Sequence, residues 1–268
     1  MWTCDEFAFQ QCEACRLIYQ NPQPNQGQLI DRYDEEYFEY ERANETPFYS
    51  LMRLALKDIE FENLARPFAK ERRTFLDIGC ATGKLIGELT NEGWKSKGVE
   101  VCAPAARFGI EHRGVDIDIG SLHESNFADS SFSVVYSSHV IEHIADPVSF
   151  VSECRRIVAD DGLMIVTTPN AAGLQARLFR SRWRSAIADH MVLYSRKTLR
   201  RLLTDGGFDT VDVKTWGGIA AGLAPGLLKN PIDRIAKRMG FGDVMISVSR
   251  PSSYSHRDRS SIPPTSSR

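Results

Sequence analysis

The stretch Phe75-Leu-Asp-Ile-Gly-Cys-Ala-Thr-Gly83 reads as a buried strand running into a turn of small residues. Helical text follows over 83–92, and a second strand at 98–101 carries Glu100 near its end. Glycines at 79 and 83, with only Cys80, Ala81 and Thr82 between them, let a ligand approach the backbone closely. The helix that follows offers unpaired N–H groups at its start. Glu100 lies about 20 residues beyond the turn, where an acid accepts hydrogen bonds from both hydroxyls of a ribose. The glycines alone are a weak signal, but strand, turn, helix, strand and terminal acid in that order are a strong one. A dinucleotide site is the nearest rival, and two residues oppose it. Asp77 stands where dinucleotide folds keep an apolar residue, and Ala81 replaces the middle glycine that admits a pyrophosphate.

The alternation continues outward, with a helix at 103–111, strands at 115–119 and 132–137, a helix at 147–159 and a strand at 163–168. Such alternation argues for a parallel sheet with helices on both faces. The β-rich segments 208–216 and 243–248 lack βαβ spacing and read as an antiparallel pair at one edge. Upstream, residues 26–45 are rich in acids, and Tyr33, Tyr37 and Tyr40 recur at helical spacing. That predicts an amphipathic helix over 31–45 with an aromatic stripe on one face. A second helix is expected over 48–66, stopped by Pro67. The expected organisation is a half-knuckle at 1–25, a helical cover at 26–73, a cofactor-binding unit at 74–250 and a disordered tail at 251–268.

Leu76-Asp-Ile-Gly-Cys-Ala-Thr-Gly83 resembles the first motif of class I S-adenosylmethionine-dependent methyltransferases, and the likeness runs from about Thr74 to Val248. Phe132-Ser-Val-Val-Tyr136 is similar to the family's fourth strand, with Ser133 in place of the usual Asp. The segment from Arg156 to Val166 resembles the helix, glycine turn and fifth strand. The resemblance implies an α/β, Rossmann-like fold. That fold is a seven-stranded, mostly parallel sheet with one antiparallel edge strand and helices on both faces, under an N-terminal helical cover. It implies S-adenosylmethionine as cofactor. Gly79, Cys80, Ala81 and Gly83 would shape the loop at its methionine end, and Asp77 would face its amino group. Glu100 would hold the ribose, Gly120, Ser121 and Leu122 would line the adenine, and His139 would stand at the cofactor's edge.

Ser137-Ser-His-Val-Ile-Glu-His-Ile-Ala-Asp-Pro147 is the second informative segment. If helical, it puts His139, Glu142 and His143 on one face. His139-Val-Ile-Glu-His143 also spells the H-x-x-E-H pattern of a zinc peptidase family. That chemistry needs the middle of a long helix, and Asp146-Pro147 ends this one at once. Placed after the fourth strand, the turn lies where open α/β sheets bind ligands. Similar Glu-His turns before Asp-Pro occur in quinone- and sugar-modifying branches of the family. The run from Thr168 to Phe208 resembles enzymes associated with sugars and cell-surface polymers. The expected reaction is methyl transfer to a hydroxyl of a sugar or cell-surface polysaccharide precursor. A quinone or lipid-linked precursor is the alternative acceptor. The rival classes are a non-catalytic cofactor-binding module and, more remotely, an NAD-dependent dehydrogenase. A neutral imidazole suits the removal of a hydroxyl proton near neutral pH. His143, with Glu142 as its partner, and His190 are therefore the candidate catalytic groups, each set against a purely loop-ordering role.

Arg177, Arg180, Arg182 and Arg184 around Trp183, and Lys229, Arg234, Lys237 and Arg238 further on, suit a phosphate-bearing acceptor or peripheral contact with an anionic membrane, or simply a solvated face. Cys12-Glu-Ala-Cys15 resembles half of a zinc ribbon. Four ligands are needed and two are present, so no metal is expected there. In 268 residues, 33 Lys and Arg against 35 Asp and Glu give a net charge of −2, which is no footprint for nucleic-acid binding. Six scattered cysteines, an acidic start and the absence of a long apolar run lead to the expectation of a cytoplasmic protein without a transmembrane segment.

Overall fold

The computed structural model describes residues 2–4, 7–24, 32–217 and 240–253. The chain opens with β1 (Trp2–Thr3), β2 (Ala8–Gln11) and β3 (Ile18–Gln20), paired antiparallel in that order. A helix α1 (Glu35–Asp58) and a short α2 (Phe61–Ala65) follow. The alternating part then runs β4 (Thr74–Ile78), α3 (Lys84–Asn91), β5 (Lys95–Glu100), α4 (Ala103–Arg113), β6 (Ile117–Ile119), β7 (Phe132–Ser138), α5 (Pro147–Ile157) and β8 (Val158–Pro169). It ends with α6 (Leu174–Phe179), β9 (Val192–Leu193), α7 (Arg196–Asp205), β10 (Phe208–Trp216) and β11 (Val244–Pro251).

Seven strands form one sheet in the order β10-β11-β8-β7-β4-β5-β6. β6, β5, β4, β7 and β8 are parallel, and β11 is antiparallel to both β8 and β10. The sheet is the one expected from the sequence, and within the late pair β11 lies inside while β10 forms the rim. Two clusters of buried side chains cover its faces. One gathers Leu76, Val135, Met164 and Met245 with Phe150, Leu199 and Phe208. The other gathers Phe75, Val134, Ile165 and Ile246 with Leu85, Ile86, Trp94 and Phe61. Neighbouring residues of one strand thus feed opposite cores, as a sheet buried on both faces requires. Strand order reverses between β4 and β7, so the crevice for a ligand opens at their carboxyl ends. Gly79 follows one of these strands and His139 the other.

The helical cover departs from the sequence reading. Instead of two helices at 31–45 and 48–66 there is one long helix through Pro47, and the break falls at Ile59-Glu60. Proline forfeits one backbone bond, but Asp34 caps the helix by accepting from the Tyr37 N–H at 3.0 Å, and burial of Phe38, Ala55 and Leu56 holds the remainder. The aromatic stripe also divides. Tyr40 is 58% exposed, while Phe38 is buried and packs 5.7 Å from Phe108. Residues 139–143 form no α-helix either. The segment is a 3₁₀ turn over Ile141–His143, preceded by His139 at φ +56°. The tail from 254 onward, Lys229, Arg234, Lys237, Arg238 and most of the apolar stretch 217–228 lie outside the described residues. Among the described residues no helix is long and apolar enough to cross a membrane.

Gly79 is the hinge of this architecture. It has φ +73°, and a Cβ there would lie 2.3 Å from Val140 Cγ2, on the turn after β7. Gly79→Ala is therefore expected to destabilise the fold by about 2 kcal/mol or more, through backbone strain and overpacking together. Urea unfolding of the variant checks this, and an unchanged midpoint and slope would contradict it.

Candidate active site

Two carboxylates lie buried at the ends of adjacent strands. Asp77 on β4 is 2% exposed and Glu100 on β5 is 5% exposed. Glu100 Oε2 accepts the Ala81 N–H and Oε1 accepts the Cys102 N–H, both at 2.8 Å. Burial raises the Glu100 carboxyl above its ordinary range, with the N–H donors at Cys102, Ala81 and Val101 pulling against it. Burial, and then the neighbouring Glu100, push Asp77 well above the usual carboxylate range. Among the described residues neither acid makes an ion pair. Two buried acids without a cation are the complement of a ligand that brings its own positive charge and ribose hydroxyls. S-adenosylmethionine, with an ammonium, a sulfonium and a ribose, fits that donor set.

The other residues expected at the cofactor gather around this pair. The Gly79 and Cys80 N–H groups donate to Val99 O, at 2.8 and 3.3 Å, and Cys80 is buried. Ala81 and Gly83 are left-handed, at φ +48° and +69°. The Gly120 N–H donates to Glu100 O at 2.8 Å, which brings the 120–122 turn against the end of β5. Leu122 is buried, and Ser121 is tied to Glu124 through its N–H at 2.7 Å and its hydroxyl at 2.6 Å. His139 is half exposed, its N–H donates to Thr167 O at 2.9 Å, and its Nδ1 lies 3.1 Å from Glu142 Oε1.

Glu142, 1% exposed, organises the histidine turn. Its second oxygen accepts the Thr168 hydroxyl at 2.9 Å, and its carbonyl accepts the Met191 N–H at 2.7 Å. Burial alone would raise its carboxyl. The His139 hydrogen bond and the surrounding imidazoles of His139, His143 and His190 outweigh that and hold it at about 2. His143 and His190, distant in sequence, meet edge to face with ring centroids 4.7 Å apart. His143 Nδ1 lies 2.9 Å from Asp189 O, and His190 Nδ1 lies 2.8 Å from Ser185 O. A carbonyl only accepts, so each Nδ1 carries a proton, and the Nε2 of each ring is the nitrogen left to act as an acceptor when the ring is neutral. Burial lowers the His190 imidazole to about 4, so it stays neutral at physiological pH. The small sheet reaches this region through β3, which pairs with β9, and through the Gln20 N–H, which donates to Met191 O at 2.8 Å.

The cover contributes Glu41 and Glu45, which the sequence reading did not assign to the site, beside two of its tyrosines. Tyr33, Tyr37, Glu41 and Glu45 recur every four residues, and this mixed face, rather than the aromatic one, is turned to the crevice. Burial pushes Tyr33 up to about 12, helped by the charges of Glu100, Asp189 and Glu142. Glu45 accepts the Thr82 hydroxyl at 2.5 Å and the Arg113 guanidinium at 2.5 Å, with Lys84 at 3.5 Å. Ahead of the helix, Arg32 holds Asp189 at 2.8 Å. The cover is thus latched to the glycine loop at one end and to the histidine segment at the other.

The arginine cluster is partly consumed by the fold. Trp183 is buried and donates its indole N–H to Asp243 at 2.6 Å, Arg184 pairs with the same carboxylate at 2.5 Å, and Arg177 lies over the Phe241 ring. Arg180 and Arg182 sit in a 3₁₀ turn that buries neither. Cys12 and Cys15 face each other across the β2–β3 turn as free thiols, with the Cys12 thiol lowered by hydrogen bonds from Cys15 and Ala14.

A switch-point crevice with a glycine loop and a terminal acid defines the class of nucleoside-binding α/β enzymes. Comparison with known proteins names the family. Residues 50–213 match the family model described as a methyltransferase domain, and the chain belongs to this family of class I S-adenosylmethionine-dependent methyltransferases. A curated relative, the ubiquinone biosynthesis O-methyltransferase of Cereibacter sphaeroides, is 32% identical over 117 residues, 41% of this chain and 47% of that protein. The chain thus spans about half the length of the curated relatives it matches. A solved methyltransferase of Thermotoga maritima shares the fold with a TM-score of 0.54 at 18% identity, covering 79% of this chain and 97% of that one. So does phosphoethanolamine N-methyltransferase 2 of Haemonchus contortus, solved with S-adenosylmethionine. Its TM-score is 0.52 at 15% identity, covering 73% of this chain and 52% of that one.

Glu41 yields a prediction about the cover. Burial and then Glu100 raise its carboxyl to about 7, against the Tyr37 hydroxyl and His139, which lower it. The unfolded chain releases this proton near pH 4.5, its ordinary value. Folding therefore takes up a proton between those limits, and stability falls as pH rises from about 4.5 to about 7. Glu41→Gln removes this contribution, so the unfolding free energy of the wild type should decline more steeply across that window than the variant's. Parallel profiles would contradict the assignment.

Proposed function

We propose that this chain transfers a methyl group from S-adenosylmethionine to a hydroxyl oxygen of a small acceptor. The observation that carries this reading is the unshared Nε2 lone pair of His143, whose Nδ1 is committed to Asp189 O, on the turn that packs against Gly79 through Val140. When bound, the cofactor supplies an activated methyl group on its sulfonium. Asp77 receives the ammonium, and Glu100 receives the ribose hydroxyls in exchange for one of its backbone donors. Tyr33 and Tyr37 on the cover exclude water from the crevice. His143 takes the proton that the acceptor hydroxyl sheds as its oxygen bonds to the methyl carbon, while the Asp189 carbonyl fixes the tautomer of that imidazole and the His190 ring packs against it.

A phenolic hydroxyl of a quinone precursor is favoured over a sugar hydroxyl for two reasons. Several of the relatives matched are named as ubiquinone biosynthesis O-methyltransferases. A phenol, with a pKa of about 10 like tyrosine, is also a far better match for an imidazole base than an alcohol.

Calorimetry with S-adenosylmethionine should show binding to the wild type and about tenfold to 100-fold weaker binding to Asp77→Ala, the loss of a charge-assisted contact. With saturating cofactor and a dihydroxyphenol acceptor, His143→Ala should slow labelled-methyl transfer by about 100-fold or more. No cofactor binding by the wild type overturns the proposal. Transfer by His143→Ala at the wild-type rate overturns the base assignment.

A further inference from the structure

We infer that two copies of this chain pair through the outer faces of their α1 helices, packed antiparallel. Along that face Tyr40 is 58% exposed, Leu51 is 51% and Leu54 is 58%. Exposed positions recur at 36, 40, 43, 47, 50, 54 and 57, in alternating steps of four and three. Side chains at that spacing keep to one side of a helix over several turns and form the seam on which a second helix packs. The other side of α1 is already occupied. Phe38, Ala55 and Leu56 are buried, and Glu45 is latched to Thr82 of the glycine loop at 2.5 Å. A cover helix that met only water on its outside would carry polar residues there, not a tyrosine and two leucines.

The charges on α1 identify the partner and its direction. The first half of the helix, to Glu45, is rich in glutamate with Arg42 as its one cation, while Arg53 and Lys57 make the far end basic. Arg42 and Arg53 are paired within the chain, with Glu39 at 3.9 Å and Glu92 at 2.9 Å. Among the described residues Glu36 and Lys57, one at each end of the seam, have no ion pair. In an antiparallel pair centred near Pro47, Glu36 of one protomer comes beside the partner's Lys57, and Tyr40 beside the partner's Leu54. The two-fold axis repeats each contact. A parallel pair would set Glu36 against the partner's Glu36 and Lys57 against the partner's Lys57, and like charges oppose that arrangement. Ala43, Pro47 and Ser50 put short side chains at the middle of the seam, where the backbones come closest.

From Glu36 to Lys57 the seam is about 32 Å long at 1.5 Å of rise per residue. A helix pair of that length buries on the order of 1,000 Å² over both copies, close to the least that a specific interface needs, so the dimer should form at micromolar concentration. The pairing holds whether or not the chain transfers methyl groups. It bears on the site all the same, because the inner side of the same helix turns Tyr37, Glu41 and Glu45 to the crevice. A partner packed on the outer side steadies that roof.

The test is sedimentation velocity of the full chain from about 1 to about 100 μM, the range that brackets such an affinity. The wild type should pass from monomer to dimer across it. Leu54→Glu should stay monomeric, and because Leu54 is exposed its circular dichroism should match the wild type. Glu36→Lys and Lys57→Glu should each weaken the dimer about fivefold or more, and the double variant should regain most of the loss, since the exchanged charges meet again across the seam. The charge exchange decides the matter if Leu54→Glu does not fold. A wild type that stays monomeric throughout overturns the inference and leaves the face to another partner. A dimer that persists in Leu54→Glu overturns it as well. Two weakened single variants without recovery in the double variant overturn the antiparallel pairing.

Discussion

The carboxylate of Glu100 ties the molecule together at the point where it binds. It is buried at the end of β5 and accepts one N–H from the glycine loop after β4 and one from the start of α4, each at 2.8 Å. A buried carboxylate is tolerated only when such donors meet it. The Ala81 N–H reaches Glu100 from a left-handed backbone, at φ +48°. That conformation costs an alanine about 1–2 kcal/mol, a cost offset by a charge-assisted bond inside the protein. The same carboxylate raises the carboxyl of Asp77, and its charge is felt by Tyr33, Tyr37 and Glu41 on the cover. Loop, strand end and cover therefore share one electrostatic centre, which a cationic ligand would neutralise.

Glu142 plays the matching part on the other side of the switch point. It too is buried, but its neighbours are imidazoles rather than amides alone, so its carboxyl is driven down while that of Asp77 is driven up. The contrast follows from the partners, since burial acts on both in the same sense. An acid-rich half and a histidine-rich half thus face each other across the turn where Val140 packs against Gly79.

The sheet was legible because its signals are local. Phe75 to Gly83 and the strands after it carry their burial pattern in consecutive residues, and 208–216 matches β10. The cover was less legible. Pro47 reads as a stop, yet packing on its flanks and a good cap at Asp34 outweigh one missing bond. The most conspicuous letters, the tyrosines, drew the stripe to Tyr40, while the four-residue spacing of Tyr33, Tyr37, Glu41 and Glu45 marked the inward face. At the histidine turn, local spacing paired His139 with Glu142, and the structure does bring them together. The meeting of His143 with His190 was not legible as geometry, because it depends on a segment that β3 and Arg32 hold in place from far away in the chain.

That dependence bears on why the small N-terminal sheet and the cover are present at all. The parallel sheet takes α2 and the end of α1 into one of its two cores, so that part of the cover serves the fold, while β1 to β3 and the start of α1 contribute little to either core. The segment 185–191 has no helix or strand of its own and would be free to wander. It is fixed instead by Gln20 on Met191, by Arg32 on Asp189 and by Glu142 on the Met191 amide. These three holds place His190 against His143 to within a ring's width. Residues 2–32 therefore act as positioning elements for the histidine pair, added to a core that already carries the two buried carboxylates.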